Sequence, residues 1–206
     1  MHPHRGSADS GLATVRQLVV VCGGGHGRDV AAIAEAAGWM VRGFLDDSPG
    51  LGVVGHPSDV PLFGNYVLGH NDSVTRERLD PGRGAITIVH PSAAVTDDLR
   101  ASDGAVVGAH CTIGPEVRLG RHTHINGNVF ITRARLGDFV TVGPGATICG
   151  DVTIGAGTQI GAGAVISNLC EIGPRAVIGA GAVVPPRTVI PPNQTWVGVP
   201  ARKVER

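Results

Sequence analysis

Aromatic residues are scarce in this chain: two Trp, one Tyr and four Phe among 206 residues, 3% in all. A core of packed helices draws much of its buried area from such rings, so their shortage argues for another kind of interior. Net charge is also missing, with 17 basic side chains against 17 acidic ones. That balance excludes the basic excess of a nucleic-acid binder. The four cysteines, Cys22, Cys111, Cys149 and Cys170, form no Cys-x-x-Cys pair, which excludes a zinc-ribbon spacing and argues against a disulfide framework. No apolar run reaches the length needed to span a membrane. Residues 1–16, MHPHRGSADSGLATVR, lack the apolar stretch of a signal peptide and read as a flexible leader, with a cytoplasmic location as the expectation.

What the chain has in abundance is glycine, 32 residues, and 42% apolar side chains that are mostly aliphatic. From Leu136 an aliphatic residue recurs every six positions: Leu136, Val142, Ile148, Ile154, Ile160, Ile166, Ile172, Ile178, Val184, Ile190. Two residues before each stands a small or β-branched side chain, as at Ala134, Val140, Ala146 and Ala164, and the residue after is usually Gly. An earlier run, Val107, Ile113, Leu119, Ile125, Ile131, keeps the period but is offset by one residue from the later one. Neither a helix nor a plain strand repeats every six residues. A short strand followed by a corner does, with positions i and i−2 facing inward and the Gly permitting the turn. Three such hexads close a triangular prism, whose narrow interior explains the small partners and the missing rings.

The pattern resembles the left-handed parallel β-helix of hexapeptide-repeat acyltransferases, and Trp196-Val-Gly-Val-Pro-Ala-Arg202 resembles the close of that superfamily. The resemblance implies a homotrimer with acetyl-CoA as acyl donor in the cleft between neighbouring prisms. A related architecture carries zinc on histidines, but His110 and His122 hold the same hexad position two faces apart and cannot share one ion within a subunit. No metal is expected.

Ahead of the repeats, Gln17–Cys22 reads as a buried strand, Gly23-Gly-Gly-His-Gly-Arg-Asp29 as a glycine-rich turn, Val30–Ala37 as a helix and Met40–Leu45 as a second strand tipped by Asp46 and Asp47. This is the order of a nucleotide-binding half-fold, in which helix-start amides meet phosphate and the acid meets ribose or base. The dinucleotide fingerprint itself fails, because Arg28 stands where it requires a third Gly. The expected fold is thus an α/β nucleotide-binding (Rossmann-like) domain over 17–87, a left-handed β-helix over 88–190 and a C-terminal tail over 191–206.

Together with Leu68-Gly-His-Asn-Asp72, Arg76 and His90-Pro-Ser-Ala93, these motifs resemble nucleotide-sugar acyltransferases of the sialic-acid O-acetyltransferase and bacillosamine N-acetyltransferase type, over residues 17–202. That resemblance implies Gly24, Gly25 and His26 at a phosphate-facing turn, Asp46 and Asp47 at the nucleoside, and Gly69 lining the same pocket. It implies a catalytic group of Asn126, Thr132 and Gly150, with Asn126 orienting the acceptor and the Gly150 amide facing the acyl oxygen. It places Thr141, Ala162 and Ala180 beside the coenzyme, and Lys203 with Arg202 at its phosphates. Cys22 departs from the Gly of many relatives. Thr132 stands where the family has its catalytic His, Arg133 where an acid often follows, and Thr141 where a second His contacts the donor. Thr has no pKa near neutrality and cannot act as a general base.

Three readings remain open. One is transfer of an acyl group from acetyl-CoA to an amino group of a nucleotide-linked sugar without a protein base. In another, an O-acyltransferase uses His124, taken as lying on the outer side of its strand. The last is a binding scaffold or other chemistry. Nucleic acid and membrane are not expected as partners. Arg118, Arg133 and Arg135 cluster near the expected cleft, either to meet a carboxylate or phosphate or as a solvated face.

Overall fold

The computed structural model describes residues 15–204 other than Asp98. The expected leader, 1–16, lies outside these residues except for Val15 and Arg16. Arg16 is tied down: its carbonyl accepts from the Met40 N–H at 2.8 Å and its guanidinium lies over the Trp39 ring.

The N-terminal unit is a four-stranded parallel sheet of β1 (Gln17–Val21), β2 (Met40–Leu45), β3 (Val53–Gly55) and β4 (Tyr66–Leu68), in the order β3-β2-β1-β4. Alternation in β1 feeds two cores. Leu18 and Val20 pack under helix α1 (Gly25–Ala36), against Val30 and Ala34. Val19 and Val21 pack on the other side, with Val60 of the short helix α2 (Val60–Phe63) and with Leu79 at the end of α3 (Ser73–Leu79). Both cores continue into the second half of the chain: Ile88 and Val106 join the first and Phe139 the second.

From Ile88 onward the chain is a parallel β-solenoid of three faces. The first carries Arg100–Ala101, Arg118–Leu119, Ala134–Leu136, Val152–Ile154, Glu171–Ile172 and Val189–Ile190. The second runs from Ile88–Val89 through His124–Ile125, Thr141–Val142, Gln159–Ile160 and Val177–Ile178. It continues past Ile190 with Thr195–Val197 and an antiparallel Arg202–Lys203. The third holds Ala94–Val95, Thr112–Ile113, Phe130–Ile131, Thr147–Ile148, Val165–Ile166 and Val183–Val184. Coils step by 18 residues, Arg100 pairing with Arg118 and Thr153 with Glu171. The offset between the two aliphatic runs falls at the corner Thr132–Arg133, so Arg118 pairs with Arg135 and Phe130 with Thr147. All ten aliphatics of the later run are buried, from Leu136 at 4% exposure to Ile148 and Ile166 at 0%.

The glycine that follows each aliphatic serves a purpose other than the expected one. Gly143 and Gly161 have no positive φ; a Cβ on Gly161 would lie 2.4 Å from the Ala180 nitrogen of the next coil. Close stacking of coils excludes a side chain there. The left-handed step comes two residues later, at Gly145 and Gly163 but also at Asn128, Phe139, Asp151 and Leu169. Among the described residues no helix is long and apolar enough to cross a membrane.

Candidate active site

The glycine-rich turn sits where β1 ends and α1 begins. A Cβ on Gly27 would lie 2.0 Å from the Cys22 carbonyl oxygen, and one on Gly69 2.7 Å from Gly27 Cα. These two glycines let the start of α1 press against the ends of β1 and β4. Gly27, one residue before the position the fingerprint assigns to its third Gly, thus provides the close helix–strand approach. Gly24 and Gly25 face open space, and no side chain caps the helix or adds an acid to its first turn. The helix dipole there is available to an anion. Asp46 Oδ2 accepts the Gly23 N–H at 2.7 Å and Oδ1 the Ser48 N–H at 3.0 Å. Those backbone bonds hold its carboxyl below the usual range. Asp47 pairs with His56 at 2.8 Å on the surface. Cys22 adopts φ +81°, a left-handed conformation that favours Gly. Burial, then the charges of Asp46 and Asp47, push its thiol up to about 11.

His26 leaves this turn for the prism. Its Nε2 lies 2.9 Å from Nδ1 of His124. His124 is not on an exposed face of the coil: it is 1% exposed, because the N-terminal unit lies over the second face. Burial, then the nearby Arg76 charge, keeps His124 neutral by lowering its pKa well below the ordinary value; the same causes lower His26. His122 is also fully buried, stacked on Phe139 and 3.1 Å from Asp80 Oδ1. Asp80 further accepts from Tyr66 at 2.7 Å and pairs with Arg121. Burial alone would raise the Asp80 carboxyl; those hydrogen bonds and charges bring it below its ordinary value.

Arg76 fastens the two units. Fully buried, it donates to the carbonyls of His70 and Asn71 at 2.9 and 2.8 Å, to that of Phe139 at 2.7 Å and to Thr141 Oγ1 at 2.9 Å. Burial lowers its pKa to about 10. Thr141, expected beside a coenzyme, uses its hydroxyl in this clamp, donating to the Asn71 carbonyl at 3.1 Å.

Two edges of the prism carry the remaining candidates. Where the second face turns into the third, Asn126, Thr141, Ala162 and Ala180 line one groove of about 440 Å³, closed at one end by His26 and Asn71. Ala162 and Ala180 are exposed corner residues on successive coils, so the groove floor is smooth. Asn126 Nδ2 donates to the Val142 carbonyl at 2.9 Å, which fixes the amide and leaves Oδ1 as an acceptor. Lys203 lies instead in a separate hollow with Arg175 and Thr195.

Where the third face turns into the first, Thr132 and Gly150 occupy successive coils. Thr132 is half-buried and stacks over Gly114, where a Cβ would meet its hydroxyl at 2.9 Å. The Arg133 guanidinium covers Gly150, meeting a Cβ built there, and its Nε lies 3.5 Å from Asp151 Oδ1. Within one chain, then, Asn126 stands on one edge and Thr132 with Gly150 on the next. No three His, Cys, Asp or Glu residues among those described converge as a metal site.

Residues 133–168 match the family described as bacterial transferase hexapeptide, six repeats. No curated protein matches the chain by sequence. The fold is similar to that of a histidine-to-asparagine variant of perosamine N-acetyltransferase from Caulobacter crescentus, solved with CoA and GDP-perosamine. The two share 28% identity over 92% of this chain and 97% of that one, with a TM-score of 0.87. The acetyltransferase domain of PglB from Neisseria gonorrhoeae FA1090, solved with acetyl coenzyme A, is similar at 28% identity over 92% and 100%, with a TM-score of 0.85. WeeI from Acinetobacter baumannii AYE shares the fold at 24% identity over 92% and 100%, TM-score 0.80.

Proposed function

We propose that the protein transfers an acetyl or other acyl group from an acyl-CoA to an amino group of a nucleotide-linked sugar. The observation that carries this reading is the smooth groove along the Asn126, Ala162 and Ala180 edge, which crosses successive coils and ends at an amide and an imidazole. The likeness to perosamine N-acetyltransferase and to the PglB domain, which were solved with CoA compounds, supports the donor; the former's GDP-perosamine supports a nucleotide-linked amine as acceptor. Gly24, Gly25, Asp46, Asp47 and Gly69 then hold the nucleotide at the start of α1.

The amine attacks the thioester carbonyl, a C–N bond forms, the C–S bond breaks and the thiolate leaves, taking up the amine's proton directly or through water. Asn126 Oδ1 accepts from the amine and aligns it, a positioning effect. The Gly150 amide stabilises the oxyanion, an interaction whose removal typically costs about 10²–10³ in rate. Gly150 and Thr132 reach the groove from a neighbouring copy, because one chain keeps the two edges a face apart; a homotrimer provides that arrangement. Thr132 contributes no proton transfer, and an amine acceptor needs none from it.

A second reading is favoured by the His26–His124 pair. His26, neutral and lining the groove, keeps Nδ1 unengaged by His124 and serves as proton acceptor, which opens hydroxyl acceptors as well.

Thiol release from acetyl-CoA, measured with UDP-, dTDP- and GDP-linked 3- and 4-amino sugars and their hydroxyl counterparts, tests both. Release with amines only supports the first reading. Release with hydroxyl sugars that is lost in His26→Gln supports the second, and no release with any acceptor overturns both.

A further inference from the structure

The outward positions of the first face form a column whose charge is uneven. Arg100, Arg118 and Arg135 stand in register on three consecutive strands, all exposed. Neighbouring strands are about 4.8 Å apart, so the three side chains leave the sheet as a stack of like charges, an arrangement that costs stability. The column then turns neutral at Thr153 and acidic at Glu171. Arg133, from the shortened corner, joins the three in a groove of about 430 Å³ that also holds Glu116, Asp151 and Thr153. Four guanidiniums against two carboxylates leave an excess of two positive charges in one hollow, in a chain whose formal net charge is zero.

Repulsive stacking that folding does not require is explained by a ligand that neutralises it. Guanidinium forks at strand spacing match the oxygens of carboxylates and phosphates, which they bind through paired charge-assisted hydrogen bonds. The groove adjoins the edge of Thr132 and Gly150, since Arg133 both lines it and covers Gly150. We infer that this groove binds an oxyanion, a carboxylate or phosphate, carried by the acyl acceptor. The assignment to the acceptor rests on the proposed acyl transfer; the oxyanion site itself does not.

Two measurements on the full chain test it. Pyrophosphate and glucuronate are titrated calorimetrically into the wild type and an Arg118→Gln, Arg135→Gln variant. At least one binds the wild type, weakens with added salt, and binds the variant about tenfold or more less tightly. Both arginines are exposed, so the variant melts no lower than the wild type; a lower melting temperature would give them a structural role instead. Absence of binding to the wild type, or equal binding to both proteins, overturns the site. In the thiol-release assay, the variant raises KM for an anionic acceptor about tenfold and leaves KM for acetyl-CoA within about twofold. Binding that distinguishes pyrophosphate from glucuronate identifies the group. A rise in KM for acetyl-CoA alone assigns the oxyanion to the donor and overturns the acceptor assignment. Absence of all thiol release contradicts the proposed acyl transfer while leaving the binding result to decide the site.

Discussion

The two edges that flank the third face of the prism are built from the same hexad repeat and have opposite surfaces. One, at Asn126, Ala162 and Ala180, is smooth, nearly uncharged and roofed at one end by the N-terminal unit through buried polar groups. The other, at Thr132, Arg133 and Gly150, is open, and its neighbouring face is lined with guanidiniums. The repeat specifies only the inward side chains, so corners are free to diverge. Small corner residues leave a smooth, uncharged groove, and long cationic ones gather positive charge. A site assembled from both edges would hold its two substrates by different physics.

The contrast depends first on the roof. Arg76→Met removes the guanidinium that the carbonyls of His70, Asn71 and Phe139 share as a donor, leaving the Asn71 carbonyl only Thr141. Urea unfolding is expected to show a loss of about 3–5 kcal/mol. A loss under about 1 kcal/mol would mean the units hold together without the clamp.

Filling the smooth edge comes next. Ala162→Trp, at an exposed corner that packs nothing inside, is expected to lower thiol release about a hundredfold by displacing the donor, with melting temperature unchanged. Unchanged kinetics would take the acyl donor away from this edge.

The roof also predicts a pH dependence. His124 is wholly buried, faced by Arg76, His26 and His122, and its pKa is well below the ordinary value; His26 and His122 shift the same way, the latter against the pull of Asp80. Once unfolded, each takes up a proton below about pH 6.5, whereas the folded chain resists it. Stability is therefore fully present above about pH 6.5 and declines as pH falls, approaching roughly 1.4 kcal/mol per unit for each histidine that stays neutral. Urea midpoints between pH 7.5 and 5.5 measure this slope, and His124→Asn should flatten it.

The smallest effect is expected at the open edge. Thr132→Val keeps shape and removes the hydroxyl; the rate of thiol release with an amine acceptor should change less than about twofold, since Thr offers no base. A fall of tenfold or more would give the hydroxyl a role in the reaction.

The prism was legible because every coil repeats the same demand: an aliphatic residue must point inward, and Leu136 through Ile190 record it. Its corners were less so. Phe139 and Leu169 adopt positive φ against their own preference, because packing between coils overrides local propensity. The burial of His124 had no local signal. It depends on His26, 98 residues away, being laid on the outer surface of a strand by a separate folding unit. Arg76 likewise binds carbonyls that offer no side-chain signature. Arg118, Arg133 and Arg135 were visible as a cluster, and the one-residue offset between the aliphatic runs already marked the short corner; Arg100 joined them only through the strand register. Asp46 was read as a ligand group from its place at a strand end; its carboxylate also braces the glycine turn through Gly23, which spacing alone does not reveal.

Whether the two edges make one site between copies is tested most directly by mixing defects. Two variants are co-expressed, one with the smooth edge filled, Ala162→Trp, and one with the opposite edge filled, Gly150→Val. Each alone should be nearly inactive in thiol release. The co-expressed population, taken as a random one-to-one mixture, should recover about a quarter of the wild-type rate, since each site takes one edge from each of two copies and half of each kind is intact. Recovery near that level is the predicted result. Mixed oligomers that form but stay as inactive as the separate variants would contradict a site shared between copies.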